Sequence, residues 1–409
     1  MIHGNLKSLV AVMATSVALA SAAHAGGYSR GSANLDPLME DGTQVSSSFT
    51  VIAPNRGMST VQPAGAPAAI PASAITPTPA LAAAGATGNA GAKFTEAYTV
   101  FGATAAMDVV GPTRCAGTFS QPYGANVDYG WTRIMSGVST TTSSEMSSME
   151  FGLTCSYRAE VGKGNMYVIG GVFHQTIDYT EARGFGFGSV LGGGDIAMDD
   201  GSVGYRVGLG YTIPEIALKA SLIYRSAVDV GLKGVVRNPA FPGGSVTAFA
   251  NATTPQSVKL AVQSGVAPGW LVFGSVEWTD WSVLQQVQVF ADPGQLAVGA
   301  APIAGVTVDA FFRDGWTVSG GVAHKFNDKF SGLASLTWDR GTSTGRSSYS
   351  DTLTVSTGGS YTVNENVSIR GGLAYSFLDS LTEVNTAGHT IGYDKDYSIG
   401  GGLSLNIKF

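Results

Sequence analysis

The sequence predicts an all-β protein, a transmembrane antiparallel β-barrel of about fourteen strands. The C-terminal stretch alternates with a period of two. Tyr397, Ile399, Gly401, Leu403, Leu405, Ile407 and Phe409 fall on one face, and Ser398, Gly400, Gly402, Ser404, Asn406 and Lys408 on the other. An apolar, aromatic face opposite a small, polar one suits a strand between lipid and a watery lumen. Composition agrees: only 13% of the 409 residues are charged, against about 25% in an ordinary soluble domain. The sole long apolar run is N-terminal, so spanning helices of about 20 residues are excluded elsewhere.

That run predicts a secretory signal peptide over 1–25. His3 and Lys7 precede an apolar core, and Ala23-His24-Ala25 supplies a small-x-small cleavage site. The core is too short for a membrane anchor. The mature chain is expected in the bacterial outer membrane.

Strands are expected, in order, near 43–52, 98–107, 114–123, 145–158, 165–179, 201–212, 215–232, 255–266, 270–290, 313–326, 329–340, 349–363, 366–381 and 394–409. Each is an alternating run bounded by turn residues. The number is even, as closure demands, because lipid offers no partner to a free strand edge. Short turns alternate with long loops, at 57–96, 124–144, 180–200, 233–254, 291–312, 341–348 and 382–393. Short turns belong to the periplasmic end and long loops to the extracellular end. Phases can be assigned: Val367, Ile369, Leu373, Tyr375 and Phe377 should face lipid, and Ser368, Arg370 and Ser376 the lumen. The segment 64–92, rich in Ala, Pro, Gly and Thr, reads as an extended, mobile loop that covers the mouth or stays disordered.

Several classes of function are excluded. The net charge is −6 with no basic patch, against nucleic acid. Two cysteines without CxxC spacing give no metal site, and no cofactor is called for. The mature chain's His174, His324 and His389 have no Ser or Asp constellation, so an outer-membrane hydrolase is disfavoured.

Several segments together resemble the FadL-type outer-membrane transporters of long-chain fatty acids and other hydrophobic compounds (OMPP1/FadL/TodX). They are Leu222-Ile-Tyr-Arg-Ser226 with Leu232-Lys-Gly234, Pro255-Gln-Ser-Val-Lys-Leu260, Val276-Glu-Trp-Thr-Asp-Trp-Ser282, Asp314-Gly-Trp-Thr-Val318 and Phe326-Asn-Asp-Lys329. The resemblance is strongest over 201–409 and weaker but collinear over 35–179. It implies a fourteen-strand barrel over 43–409 with an N-terminal hatch at 26–42. It also implies capture of a hydrophobe by the loops, passage to a lumenal site and release through a lateral gap at a kinked third strand. The family's Asn-Pro-Ala hatch element reads here Asn34-Leu35-Asp36-Pro37, and so short a hatch can hardly fill the lumen. The implied function is passive uptake of hydrophobic molecules, long-chain fatty acids first. A general or aromatic-hydrocarbon channel is the alternative, though an aqueous porin would need charged rings on an inward loop.

Candidate residues follow. Pro122, Tyr123 and Gly124 interrupt the third strand, either as the family's kink or as that strand's extracellular end. Phe185, Phe187, Val190 and Leu191 on one loop, and Phe241, Val246 and Phe249 on the next, form either a capture groove or loop-on-loop packing. Arg183, Arg206 and Arg225 are lumenal cations that either meet a substrate carboxylate or pair with Glu150, Asp229 or Glu277. Antiparallel registry sets Cys115 opposite Cys155 on the lipid face, as a disulfide or as two thiols. Expected partners are outer-membrane lipid, a hydrophobic small molecule and the barrel assembly machinery, which would read Phe409 as a terminal signal. The chain is expected to be monomeric.

Overall fold

In the computed structural model of the chain, residues 27–75, 93–135, 139–187, 190–238, 242–292 and 306–409 are described. The signal-peptide expectation lies outside them. Among the described residues fourteen antiparallel strands close a barrel. They are β1 (Gln44–Asn55), β2 (Tyr98–Val110), β3 in two pieces (Thr113–Ser120 and Gly124–Asp128), β4 (Thr141–Val161), β5 (Gly164–Phe187) and β6 (Val190–Ile213). Next come β7 (Leu218–Arg225 and Val228–Arg237), β8 (Ser245–Thr254 and Ser257–Ala267) and β9 (Trp270–Thr279 and Gln286–Ala291). The wall ends with β10 (Gly315–Lys325), β11 (Phe330–Arg340), β12 (Thr352–Thr362), β13 (Val367–Leu378) and β14 (Asp396–Lys408).

Closure is made by β1 on β14, in register from Gln44 opposite Lys408 to Asn55 opposite Tyr397. Every backbone group on that seam therefore finds a partner where lipid would supply none. The expected phases hold. Ile369, Leu373, Tyr375 and Phe377 are exposed on the outer face, while Arg370 and Ser376 are buried inside. At the turn end, Gly111, Gly162 and Gly269 adopt positive φ and let adjacent strands reverse within a few residues.

Two expectations about loops need correction. In the stretches 180–200 and 233–254 most of the described residues are strand and not loop; ladder pairing continues along them, from Asn165 opposite Thr212 to Phe187 opposite Val190, and from Val228 opposite Thr254 to Arg237 opposite Ser245. These hairpins extend the wall on the loop side, and their Gly content does not end the pairing. The described part of the segment 64–92 contributes to a sheet: Ile70–Pro71 pairs with Thr60–Gln62, and with Leu381–Val384 and Thr390–Tyr393 they make a four-stranded roof. Residues 76–92 lie outside the described set. So small a sheet is marginal alone. It is held by a core of Met58, Val61, Ala72, Ile75, Phe94, Ile391 and Tyr393, in which each large apolar side chain contributes about 1.5–3 kcal/mol. Arg56 ties the roof down from beneath, donating from Nη1 to the carbonyls of Asp379 at 2.8 Å and Asp394 at 3.1 Å.

The inner face is polar near the turn end and apolar near the loop end. In β7 the outward Leu222 is 45% exposed, yet beyond the break at Ser226 the even-numbered Val228, Val230 and Leu232 are buried. In β8 Val246, Ala248 and Ala250 are buried above the break at Pro255, and Leu260 and Val262 point out below it. Each break reverses the phase, so one alternating pattern serves lipid below and an apolar interior above.

Candidate functional site

The N-terminal segment threads the lumen. Its foot is a 3-10 turn, Asp36–Met39, begun by Asn34, whose Oδ1 accepts the Asp36 N–H at 3.1 Å, and fixed by Pro37. Leu38 and Met39 pack on Ala106, Ala116, Tyr167 and Ile169 at the turn end. Basic residues clamp the foot. Lys219 Nζ lies 2.9 Å from Asp36 and 3.8 Å from Glu40, Lys408 pairs with Glu40 at 3.4 Å, and Arg114 Nε donates to the Pro37 carbonyl at 2.6 Å. Asn34, Asp36 and Pro37 thus anchor the segment. It does not fill the barrel, and cavities remain on both sides of it.

The top of the segment crosses the break in β3. Arg30 N–H donates to the Pro122 carbonyl at 2.8 Å, and Gly124 N–H donates to the Tyr28 carbonyl at 2.8 Å. The break opens the wall. β2 pairs with β3 only from Ala103, opposite Phe119, toward the turn end, so Tyr98–Gly102 have no wall partner on that side. Gln121 Oε1 accepts the stranded Phe101 N–H at 2.8 Å. The wall resumes above: Gly124–Asp128 pairs with β4, so Pro122–Gly124 lie within β3 and not at its end. Tyr123 turns into the lumen, its hydroxyl donating to the Pro255 carbonyl at 3.3 Å.

Three connected chambers result. The upper one, about 370 Å³, lies under the roof. Its lower wall is a box of Tyr28, Tyr123, Trp281, Phe312 and Tyr349 in edge-to-face contacts, such as Tyr28 to Phe312 at 5.2 Å between centroids. Phe311, beside it, sits at φ +47°, a conformation costly for a bulky residue. Hydrogen bonds from the N–H groups of Ala310 and Phe311 to the Gln285 carbonyl, at 2.9 and 2.8 Å, hold it there. Ile177, Met198 and Leu232 add an aliphatic wall, and Arg133, Arg183, Glu181 and Glu383 a polar rim. Burial pushes the Tyr28 and Tyr349 hydroxyls above their ordinary pKa, so the box stays uncharged.

The middle chamber, about 310 Å³, lies below Tyr123 and reaches the gap at Phe101, Phe119 and Gln121. Its lining is polar, and its described residues include five cations, Arg30, Arg206, Arg225, Lys259 and Arg370, against three carboxylates, Asp36, Glu150 and Glu277. A rear chamber of about 170 Å³ lies across the segment, against Tyr98, Gly372, Gly400 and Gly402.

The candidate cations are paired with carboxylates. Glu150 is buried between Arg206 and Arg225, receiving Arg225 Nη2 at 2.8 Å, and both guanidinium groups lie over the Phe173 ring. Arg183 pairs with Glu181 at 3.0 Å. Asp229, by contrast, accepts from Thr253, and Glu277 pairs with Lys259 at 3.1 Å. Of the apolar candidates, Val246 is buried in the inner cluster whereas Phe249 is 42% exposed on the outer face. The two do not share a groove, because they stand three residues apart on one strand. Phe185, Phe187, Val190, Leu191 and Phe241 lie outside the residues whose side chains are described. Cys115 and Cys155 form a disulfide between directly opposed residues of β3 and β4. The aromatic box went unread in the sequence: its five rings come from distant segments, and only Trp281, in a family motif, and Tyr123, at the strand break, stood out there.

The model of the outer membrane protein transport protein family (OMPP1/FadL/TodX) matches residues 13–391. The chain belongs to this family. OMPP1/FadL/TodX proteins are outer-membrane transport channels for hydrophobic compounds, not enzymes. A long-chain fatty acid transport protein of Escherichia coli O6:H1 is 25% identical over 179 residues, which is 42% of this chain and 38% of that protein's length. Among solved structures, a Pseudomonas aeruginosa FadL homologue aligns with a TM-score of 0.70 at 14% identity, over 91% of this chain and 92% of that one. The P. putida toluene transporter TodX aligns at 0.57 and 14% identity, over 91% of each chain. These likenesses show the same FadL/TodX barrel.

Proposed function

We propose that the chain mediates passive uptake of long-chain fatty acids across the outer membrane, entering from the roof side and leaving through the gap between β2 and β3. The observation that carries this reading is the pairing of two unlike chambers. The upper one offers an aromatic and aliphatic wall to a hydrocarbon chain. The middle one holds an excess of cations for a carboxylate and opens to the outer wall at Phe101 and Phe119. Tyr123 lines both and divides them. Gradient-driven diffusion suffices, since movement from water through apolar surface into lipid runs downhill.

Liposomes carrying the purified protein should take up labelled oleate faster than empty vesicles, and equal rates would overturn the proposal. A second reading, uptake of a monoaromatic hydrocarbon, is favoured by the box of five rings. Labelled toluene in the same vesicles separates the two: uptake of toluene without oleate selects the hydrocarbon.

A further inference from the structure

Arg30 differs from three of the four other cations of the middle chamber. Arg206 and Arg225 share Glu150, and Lys259 holds Glu277. Among the described residues Arg30 forms no ion pair, although it is only 9% exposed. Its Nη2 donates to Asn126 Oδ1 at 2.8 Å, its guanidinium lies 4.0 Å above the Tyr98 ring, and its Nε has no hydrogen-bond partner. Taking a cation out of water without a counter-charge is unfavourable. Burial accordingly draws the Arg30 pKa below its ordinary value, partly offset by Tyr98, Tyr349 and Glu145.

The surroundings preserve this arrangement. The Arg30 side chain lies directly against Gly124, where any β-carbon would strike it. The backbone of Arg30 is bonded to Pro122, so the side chain is carried on the strip of segment that bridges the break in β3. Arg30 lines both the middle and the rear chamber. From the middle chamber the surface runs over Val100, Phe101 and Phe119 to the gap.

From this geometry we infer that Arg30 is the specificity-determining residue for the substrate's head, receiving the carboxylate of an amphiphile whose chain lies along Val100, Phe101 and Phe119 toward the lipid. A carboxylate supplies the missing counter-charge. A neutral hydrophobe supplies no counter-charge. The inference rests on the fatty-acid reading above and assigns its polar recognition to the threaded segment instead of to the paired wall arginines.

The test uses full-length protein in detergent, with oleate and oleyl alcohol as probes and binding followed by titration. Arg30→Gln should weaken oleate about tenfold to a hundredfold, the size of one lost charge-assisted contact, and leave oleyl alcohol within about twofold. Arg30→Lys should recover part of the oleate affinity. Gly124→Ala, which displaces the guanidinium without removing it, should weaken oleate selectively too. Heat-modifiable migration on gels reports whether each variant folds. Unchanged oleate affinity in Arg30→Gln, or equal loss for both probes, overturns the role of Arg30. If the wild-type protein binds no oleate, the fatty-acid reading itself fails, and wild-type binding that Arg30→Gln leaves unchanged refutes only the inference.

Discussion

Glu150 sits 2% exposed between two guanidinium groups. It illustrates how a lumenal residue serves stability before it serves transport. Arg206 and Arg225 reach it from adjoining strands, β6 and β7, and it projects from β4, so one carboxylate ties three wall strands together. Glu150→Gln keeps the shape and removes the charge, leaving two buried cations without their counter-ion. The expected loss is about 3–5 kcal/mol, as for other broken buried pairs. A urea titration followed by gel migration should show a midpoint well below wild type, and an unshifted midpoint would mean that water solvates this cluster. Glu150 was among the pairing partners legible in the sequence, because a carboxylate in lumenal phase is a natural partner for lumenal arginines. The choice of Glu150 over Asp229 was not legible, because it depends on the fold bringing β4 beside the break in β7.

At the scale of elements, β3 is the decisive strand. Proline and glycine in a run of ladder residues announced an interruption. Only the resumption of pairing at Gly124 shows that it lies within the wall. Ser120 faces Glu150 and Gly124 faces Ser147, so the break carries one residue more than the facing stretch of β4. Deleting Pro122 alone restores the register and the inside–outside phase and lets β3 pair with the free edge of β2. Oleate uptake into vesicles should then fall to the level of empty vesicles while the barrel still migrates as folded; retained uptake would place the exit elsewhere. Just below, the Cys115–Cys155 disulfide pins β3 to β4 and closes a loop with a sequence separation of 40. Its reduction should lower the unfolding free energy by about 2–4 kcal/mol. Urea midpoints with and without reductant measure this, and identical midpoints would show that the ladder alone fixes the seam. Registry placed these cysteines opposite one another because their loop is symmetric about its middle.

For the molecule as a whole, the threaded segment is the element that crosses the lumen, and it is held at both ends. Its upper end is bonded across the break in β3 and its foot is held by Lys219, Lys408 and Arg114. Lys219→Met removes the cation nearest Asp36 and should loosen the foot. In planar bilayers the variant should show larger or more frequent conductance steps than wild type, and indistinguishable traces would mean that packing of Leu38 and Met39 suffices.

The sequence by itself determined the solvent, the strand count, the wall phases and the closing seam. All of these follow from a period of two and from the rule that lipid leaves no backbone group unpaired. It also exposed the family through short motifs on the later strands. Only the tertiary structure decided that the loop hairpins continue the wall, that two strand breaks turn the same alternation into an apolar upper interior, and that five rings from scattered segments meet in one box. It likewise decided which cations are paired with carboxylates, and that Arg30 forms no ion pair among the described residues. Those facts depend on which strands become neighbours when the barrel closes, and a pattern of near-neighbour residues carries no record of distances between residues far apart in the chain.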